Sequence, residues 1–266
     1  MIKLTLPEKP AKLTDAEVAR LTAEFKNDSS KTVWKQDYIE TALMKMSNGK
    51  CAYSEQRIGE ESAYMEIEHF KHKNLYKDDV VKWGNLLPAC KKCNTVKGEW
   101  DVVSDPIVNP LVDTPKDHLF IQGFRFYERD TKGHNTILAV ALNDREHFVN
   151  PRSKIALRIV DEIEAAFFHL QELTQKRARH LQTQKIKSLM EECGPEYEYS
   201  AVVSTYLLYE WYYYPEMERY LRDAGLWDTE FDGIVGRLRE IAMPQQEERR
   251  DADEGADGVA SHGGEK

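Results

Sequence analysis

Between residues 66 and 100 the chain reads EIEHFKHKNLYKDDVVKWGNLLPACKKCNTVKGEW, which sets a carboxylate and an imidazole side by side at Glu68 and His69. Asn85 follows sixteen positions after His69, and Asn94 stands directly after a Cys-x-x-Cys pair. Hydrolysis of a phosphodiester needs a base for the attacking water and a cation to neutralise the charge that builds on phosphorus. It also needs something to hold the leaving oxygen near that cation. A two-stranded hairpin followed by a helix around one divalent ion supplies all three compactly, and Asn94 falls where that helix would begin.

The cysteines pose a separate question. Cys90 and Cys93 form one close pair, and Cys51-Ala-Tyr-Ser54 has the spacing of a second pair in which the last sulfur is replaced by a hydroxyl. A structural zinc takes four thiolate or imidazole ligands in a tetrahedron, and a serine hydroxyl is a poor substitute at neutral pH. Three outcomes stay open: zinc on Cys51, Cys90 and Cys93 with water or a histidine at the Ser54 position, weakly held zinc, or no zinc at all. Bound zinc is the favoured one. Cys193, at EECGPEY, reads as a bystander thiol at a helix end.

Other segments must position these groups. Thr14 caps DAEVARLTAEF, and VWKQDYIETALMKM spaces Trp34, Tyr38, Ile39, Leu43 and Met46 as a helix does, so two packing helices lead into Cys51. DPIVNPLVDTPKDH reads as an ordered loop. HLFIQGFRFYERD and NTILAVALN flank Asp130-Thr-Lys-Gly133, which predicts a hairpin turning at those four residues. From Arg152 to about Met190 apolar residues recur at helical steps, predicting one long helix ended by Gly194-Pro195, and aromatic-rich helices follow. The Tyr206 to Tyr214 cluster reads first as helix packing and second as a docking surface. The expected class is α+β and mostly helical: N-terminal helices over 1–50, a core at 51–101, loop and β-hairpin over 102–150, a helical domain over 151–243 and a disordered acidic tail over 244–266.

A formal charge of −9 argues against binding nucleic acid by bulk electrostatics alone. Yet seven lysines, Lys73 and Lys97 among them, lie between His69 and Lys97 against Asp78 and Asp79, and phosphates would be welcome there. No apolar run is long enough to span a membrane and no signal-peptide pattern opens the chain, so a cytoplasmic protein without membrane association is expected.

The string W-x-N-L-L-x-x-C-x-x-C-N-x-x-K after an acid-His pair and a lysine-rich spacer resembles the HNH, or ββα-metal, nucleases, in the variant whose last histidine is asparagine. The leading C-A-Y-S-E, the IEHF-x-x-K phrase, DPIVNP and the TI...LN...R segment extend the similarity to the PtuB-like family of Septu antiphage systems and some retrons, over roughly residues 10 to 160. The resemblance implies an HNH core whose general base is His69, with Glu68 and Asn94 as ligands of a catalytic Mg²⁺ or Mn²⁺. Glu66 is the spare carboxylate, because the acid before the histidine is often the shorter Asp. It also implies that Asn85 fixes the loop that orients His69, and that Lys97 contacts a phosphate. The implied partners are phage or plasmid DNA and an SMC/ABC-like ATPase, PtuA. In a retron setting a reverse transcriptase and its non-coding RNA-DNA would join them. A rival expectation is a non-catalytic adaptor that binds the ATPase, which the missing sulfur favours.

Overall fold

The computed structural model describes residues 1–59 and 64–245, so most of the acidic tail lies outside the described residues. Helix α1 (Asp15–Asn27) starts where Thr14 Oγ1 accepts the Glu17 amide at 3.2 Å, and α2 (Asp37–Met46) follows. Trp34 stands before α2 rather than within it. The buried faces of α1 and α2 close over Ile67, Val80, Val81, Trp83 and Leu86. Each large aliphatic side chain fully withdrawn from water there contributes about 2 kcal/mol.

Strand β1 (Met65–His69) runs antiparallel to β2 (Leu86–Cys90), pairing His69 with Leu86 and Met65 with Cys90. Helix α3 (Lys91–Lys97) begins without an intervening loop and ends at Gly98, whose φ of +46° suits glycine. The short helix α4 (Pro115–His118) leads into β3 (Leu119–Gln122) and β4 (Arg125–Glu128), a second antiparallel pair.

The second hairpin departs from expectation. Its turn is Gly123-Phe124, both with positive φ, the conformation of a two-residue hairpin loop that twists with its strands. Asp130 instead caps α5 (Thr131–Ala139), its Oδ1 accepting the Gly133 amide at 2.8 Å, so most of NTILAVALN is helical. Gly133 is required by space: a Cβ there would lie 2.0 Å from the His118 carbonyl oxygen.

The predicted long helix is two, α6 (Asn150–Glu172) and α7 (Lys176–Glu191), packed on each other and broken at residues 173–175. No glycine or proline marks that break. Helices α8 (Ser200–Thr205), α9 (Tyr214–Asp223) and α10 (Thr229–Ile241) complete the helical half. The helix-packing reading of the cluster holds for Leu207, Leu208, Trp211 and Tyr214, which are core, while Tyr212 is 84% exposed. The halves are not separate: Ala201, Val202 and Met243 share a core with Cys51, Cys90, Cys93, Phe126 and Phe148. No described helix is long and apolar enough to cross a membrane.

Candidate active site and cysteine cluster

Successive side chains on a strand point to opposite faces, so β1 sends Glu68 one way and His69 the other. His69 is 4% exposed, with its ring edge-on to Trp34 at 4.7 Å between centroids. Its Nε2 lies 2.9 Å from the carbonyl oxygen of Val80. A carbonyl can only accept, so Nε2 carries the proton and donates it, which leaves the lone pair on Nδ1. Burial, with Lys73, His72 and Lys97 adding positive charge nearby, holds the imidazole down to about 3, neutral at physiological pH.

Glu68 turns toward α3. It is 3% exposed, and Lys97 Nζ stands 2.5 Å from its Oε1 while also donating to the His69 carbonyl oxygen at 2.9 Å. Burial outweighs the Lys97 charge and lifts this carboxyl to about 7. Lys97 therefore does not lie on the outer face where a phosphate would meet it; it bridges the side chain of Glu68 and the backbone of His69. Asn94 lies one turn before Lys97 on α3 and is half-buried. Glu66, two residues before Glu68 on the same face, is half-buried as well.

Asn85 is a clamp. Its Oδ1 accepts the Lys71 amide at 2.7 Å, and its Nδ2 donates to the carbonyls of Lys71 and Asp79 at 3.1 and 3.0 Å. The Phe70 amide donates to its backbone carbonyl at 2.9 Å. One side chain thus ties both ends of the 70–85 loop, which also carries the Val80 carbonyl that orients His69. Lys73 leaves this loop to lie over the Trp34 ring, Nζ 5.2 Å from the centroid. Other lysines of the basic stretch are paired: Lys71 and Lys82 with Asp79, and Lys92 with Asp144.

The cysteines converge behind the hairpin. Ligand atoms of Cys51, Cys90 and Cys93 all lie within 4.8 Å of one another, and all three residues are buried. This is the one grouping of three or more His, Cys, Asp or Glu side chains among the described residues that could share an ion. Ser54 Oγ is 3.7 Å from Cys90 Sγ, so the hydroxyl occupies the fourth corner its spacing assigned to it. Burial pushes the Cys93 thiol well up. Burial also opposes ionisation of Cys51, but hydrogen bonds from Cys90 and Cys93 outweigh it and draw that thiol well down. Three sulfurs and an oxygen around one point are a donor set for a soft-tolerant divalent ion such as zinc. Cys193 lies apart, buried at the end of α7 with its thiol on the Leu189 carbonyl at 3.7 Å.

Several residues at the site carried no sequence signal. Trp34 precedes its helix, and Tyr53, whose buried hydroxyl has no hydrogen-bond partner, sits next to the cysteine that a motif reading picks out. His72 is 8% exposed, its Nδ1 accepting the Asn74 amide at 3.4 Å. Arg152 did leave a trace, because it falls in register with Ala156, Ile159 and Ile163 on the buried stripe of α6.

Two known proteins are similar to this chain over much of its length. A protein of Bacillus thuringiensis named Septu protein PtuB is 37% identical over 240 residues, 88% of this chain and 92% of its own. A second Septu protein PtuB, from Bacillus mycoides, is 29% identical over 200 residues, 59% of this chain and 67% of its own. No family model and no solved structure matches.

Proposed function

This chain belongs to the Septu PtuB family, and from that premise we propose that it is a metal-dependent HNH endonuclease acting in antiphage defence with an SMC/ABC-like ATPase. The observation that carries this reading is the His69 imidazole at the end of β1, with Nε2–H fixed on Val80 and the lone pair on Nδ1. It stands in a strand–strand–helix unit in the order the ββα-metal arrangement requires. His69 takes the proton of the attacking water at Nδ1 and keeps its orientation through Val80, which Asn85 holds indirectly by closing the loop.

Glu68 and Asn94 are the oxygen donors for Mg²⁺ or Mn²⁺. The pair fits such an ion in kind, since hard cations accept one carboxylate plus waters, and the ion would share Glu68 with Lys97, whose Nζ stands 2.5 Å from Oε1. A bound divalent ion would supply charge neutralisation at phosphorus. Lys73, and the exposed Lys77 and Lys91, supply cations toward the phosphate backbone. The ATPase docks on the helical half, where Tyr212 and Phe168 are exposed beside Tyr213.

A non-catalytic adaptor is the second reading, favoured by the Glu68–Lys97 pair, which engages the carboxylate internally. Plasmid nicking with Mg²⁺ or Mn²⁺, with and without the ATPase, compared between the native chain and His69→Ala, decides between them. Cutting that His69→Ala abolishes supports the nuclease; equal cutting by both, or none by either under any condition, rules it out.

A further inference from the structure

Arg152 is a cation in a place where cations are costly. It is wholly buried, and Nη1 donates to the Leu142 carbonyl at 2.7 Å, but Nε and Nη2 have no hydrogen-bond partner. No carboxylate among the described residues lies within ion-pair distance of it. Its guanidinium packs against the rings of Phe126, Phe148 and Tyr199 at 4.8, 5.5 and 5.7 Å. Ring faces offset part of the desolvation cost of a guanidinium. They do not replace an anion, since a buried charge without a partner costs several kcal/mol by rough estimate. Burial pulls Arg152 down to about 10, so it stays charged at neutral pH.

The surroundings already use their carboxylate. Glu55 accepts from the amino group of Met1, the hydroxyl of Ser200 at 2.5 Å and the amide of Ala201 at 3.3 Å, and Lys50 lies 3.9 Å away. Two routes lead from Arg152 to the cysteines. Cys93 Sγ donates to the Val140 carbonyl at 3.4 Å, two residues before the carbonyl that Arg152 holds. Tyr199, beneath the guanidinium, donates its amide to the Glu55 carbonyl at 3.2 Å, and the Glu55 amide donates to the Cys51 carbonyl at 3.0 Å. Arg152 and the three sulfurs also belong to one packed region, through Phe126, Phe148, Val140 and Leu142.

We infer that Arg152 is the internal counter-ion of the cysteine cluster, whose three thiolates around one divalent cation, with the neutral Ser54 hydroxyl or a water fourth, carry one net negative charge. On binding, every thiol that still holds its proton gives it to water, and three negative sulfurs against two positive charges leave one anion to match one guanidinium. This deepens the reading of Cys51, Cys90 and Cys93 as a metal site and rests on it.

The test uses the full chain and Zn²⁺, with bound metal counted by mass spectrometry and affinity measured by chelator competition. Arg152→Lys is expected to keep zinc affinity within about threefold. Arg152→Gln and Arg152→Met are expected to weaken it at least tenfold, about 1.4 kcal/mol. If Arg152→Met does not fold, the Lys and Gln variants carry the comparison. Zinc bound with equal affinity by all variants, or affinity that follows side-chain shape rather than charge, overturns the counter-ion role and leaves the metal site standing. Native chain without zinc, and unable to take it up, overturns both.

Discussion

Lys97 and Glu68 form an ion pair inside the protein, Nζ to Oε1 at 2.5 Å, and the same ammonium also holds the backbone carbonyl of His69. Helix α3 is thereby fastened to the last two residues of β1 by one side chain, at the point where the His69 ring and the adjacent carboxylate diverge. Four hydrocarbon carbons reach the pair from α3, so the lysine also packs.

Removing one partner should cost more than removing both. Lys97→Ala is expected to destabilise the chain by about 3 kcal/mol, because a buried carboxylate loses the cation paired with it. The double variant Glu68→Leu with Lys97→Met should recover most of that. Urea unfolding of the two single variants and the double measures the coupling; additive losses would show that the pair is not coupled.

The Glu68 carboxyl, lifted to about 7 from an ordinary 4.5, gives a signed pH dependence. Its folded form holds the proton more tightly than its unfolded form, so its contribution is full below pH 4.5 and is lost as pH rises through about 7. Glu68→Gln should flatten that part of the stability profile. Mn²⁺ affinity at this site, followed by paramagnetic resonance, should rise over the same interval, since only the ionised carboxylate is a good ligand.

His69 has the opposite sign. Its imidazole is held down to about 3 from 6.5, so its contribution is full above pH 6.5 and drains as pH falls toward 3. In proton NMR the His69 ring should show no titration above about pH 4, with the Nε2–H tautomer throughout. Trp34→Ala, which opens one wall of the ring's enclosure, should move its titration upward; a ring that titrates near 6.5 in the native chain would contradict the packing described.

Asn85→Ala removes three side-chain hydrogen bonds from one buried position. A loss of about 3 kcal/mol is expected, at roughly 1 kcal/mol for each. Amide exchange should accelerate across residues 70–85 first and leave the helical half protected. Uniform acceleration would mean that Asn85 supports the whole fold rather than its loop.

The cysteine cluster was legible because it depends on spacing along the chain. The acid-His pair, Asn85, the Cys-x-x-Cys and the serine at the fourth corner are local patterns, and the structure brings Cys51, Cys90, Cys93 and Ser54 to one point. What stayed hidden depends on tertiary packing. Lys97 looked like a cation for phosphate until burial turned it inward. The hairpin was found but its turn misplaced, because Asp-x-x-Gly serves a helix cap as well as a turn, and Gly123-Phe124 hides a left-handed pair behind an aromatic residue. The break between α6 and α7 has no breaker residue to announce it.

Gly133→Ala is the sharpest test of that reassigned segment. A Cβ 2.0 Å from the His118 carbonyl oxygen must displace backbone, and a loss of about 2 kcal/mol is expected. Were residues 130–133 instead an exposed hairpin turn, alanine there would be tolerated. Thermal melts separate the two.

The loop that carries Cys51 is gripped by the turn before α8. Lys50 donates to the carbonyls of Pro195 and Tyr197, the Arg57 amide donates to Glu198 at 2.6 Å, and Glu55 accepts from the Ser200 hydroxyl and the Ala201 amide. The cut at residue 150 that the sequence invites would sever this grip, remove Arg152 and strand Glu55. The half that carries His69 and the cysteine cluster is therefore not a portable cassette: transplanted alone it would leave behind part of its own interior, and exchange between relatives should succeed only when both halves travel together.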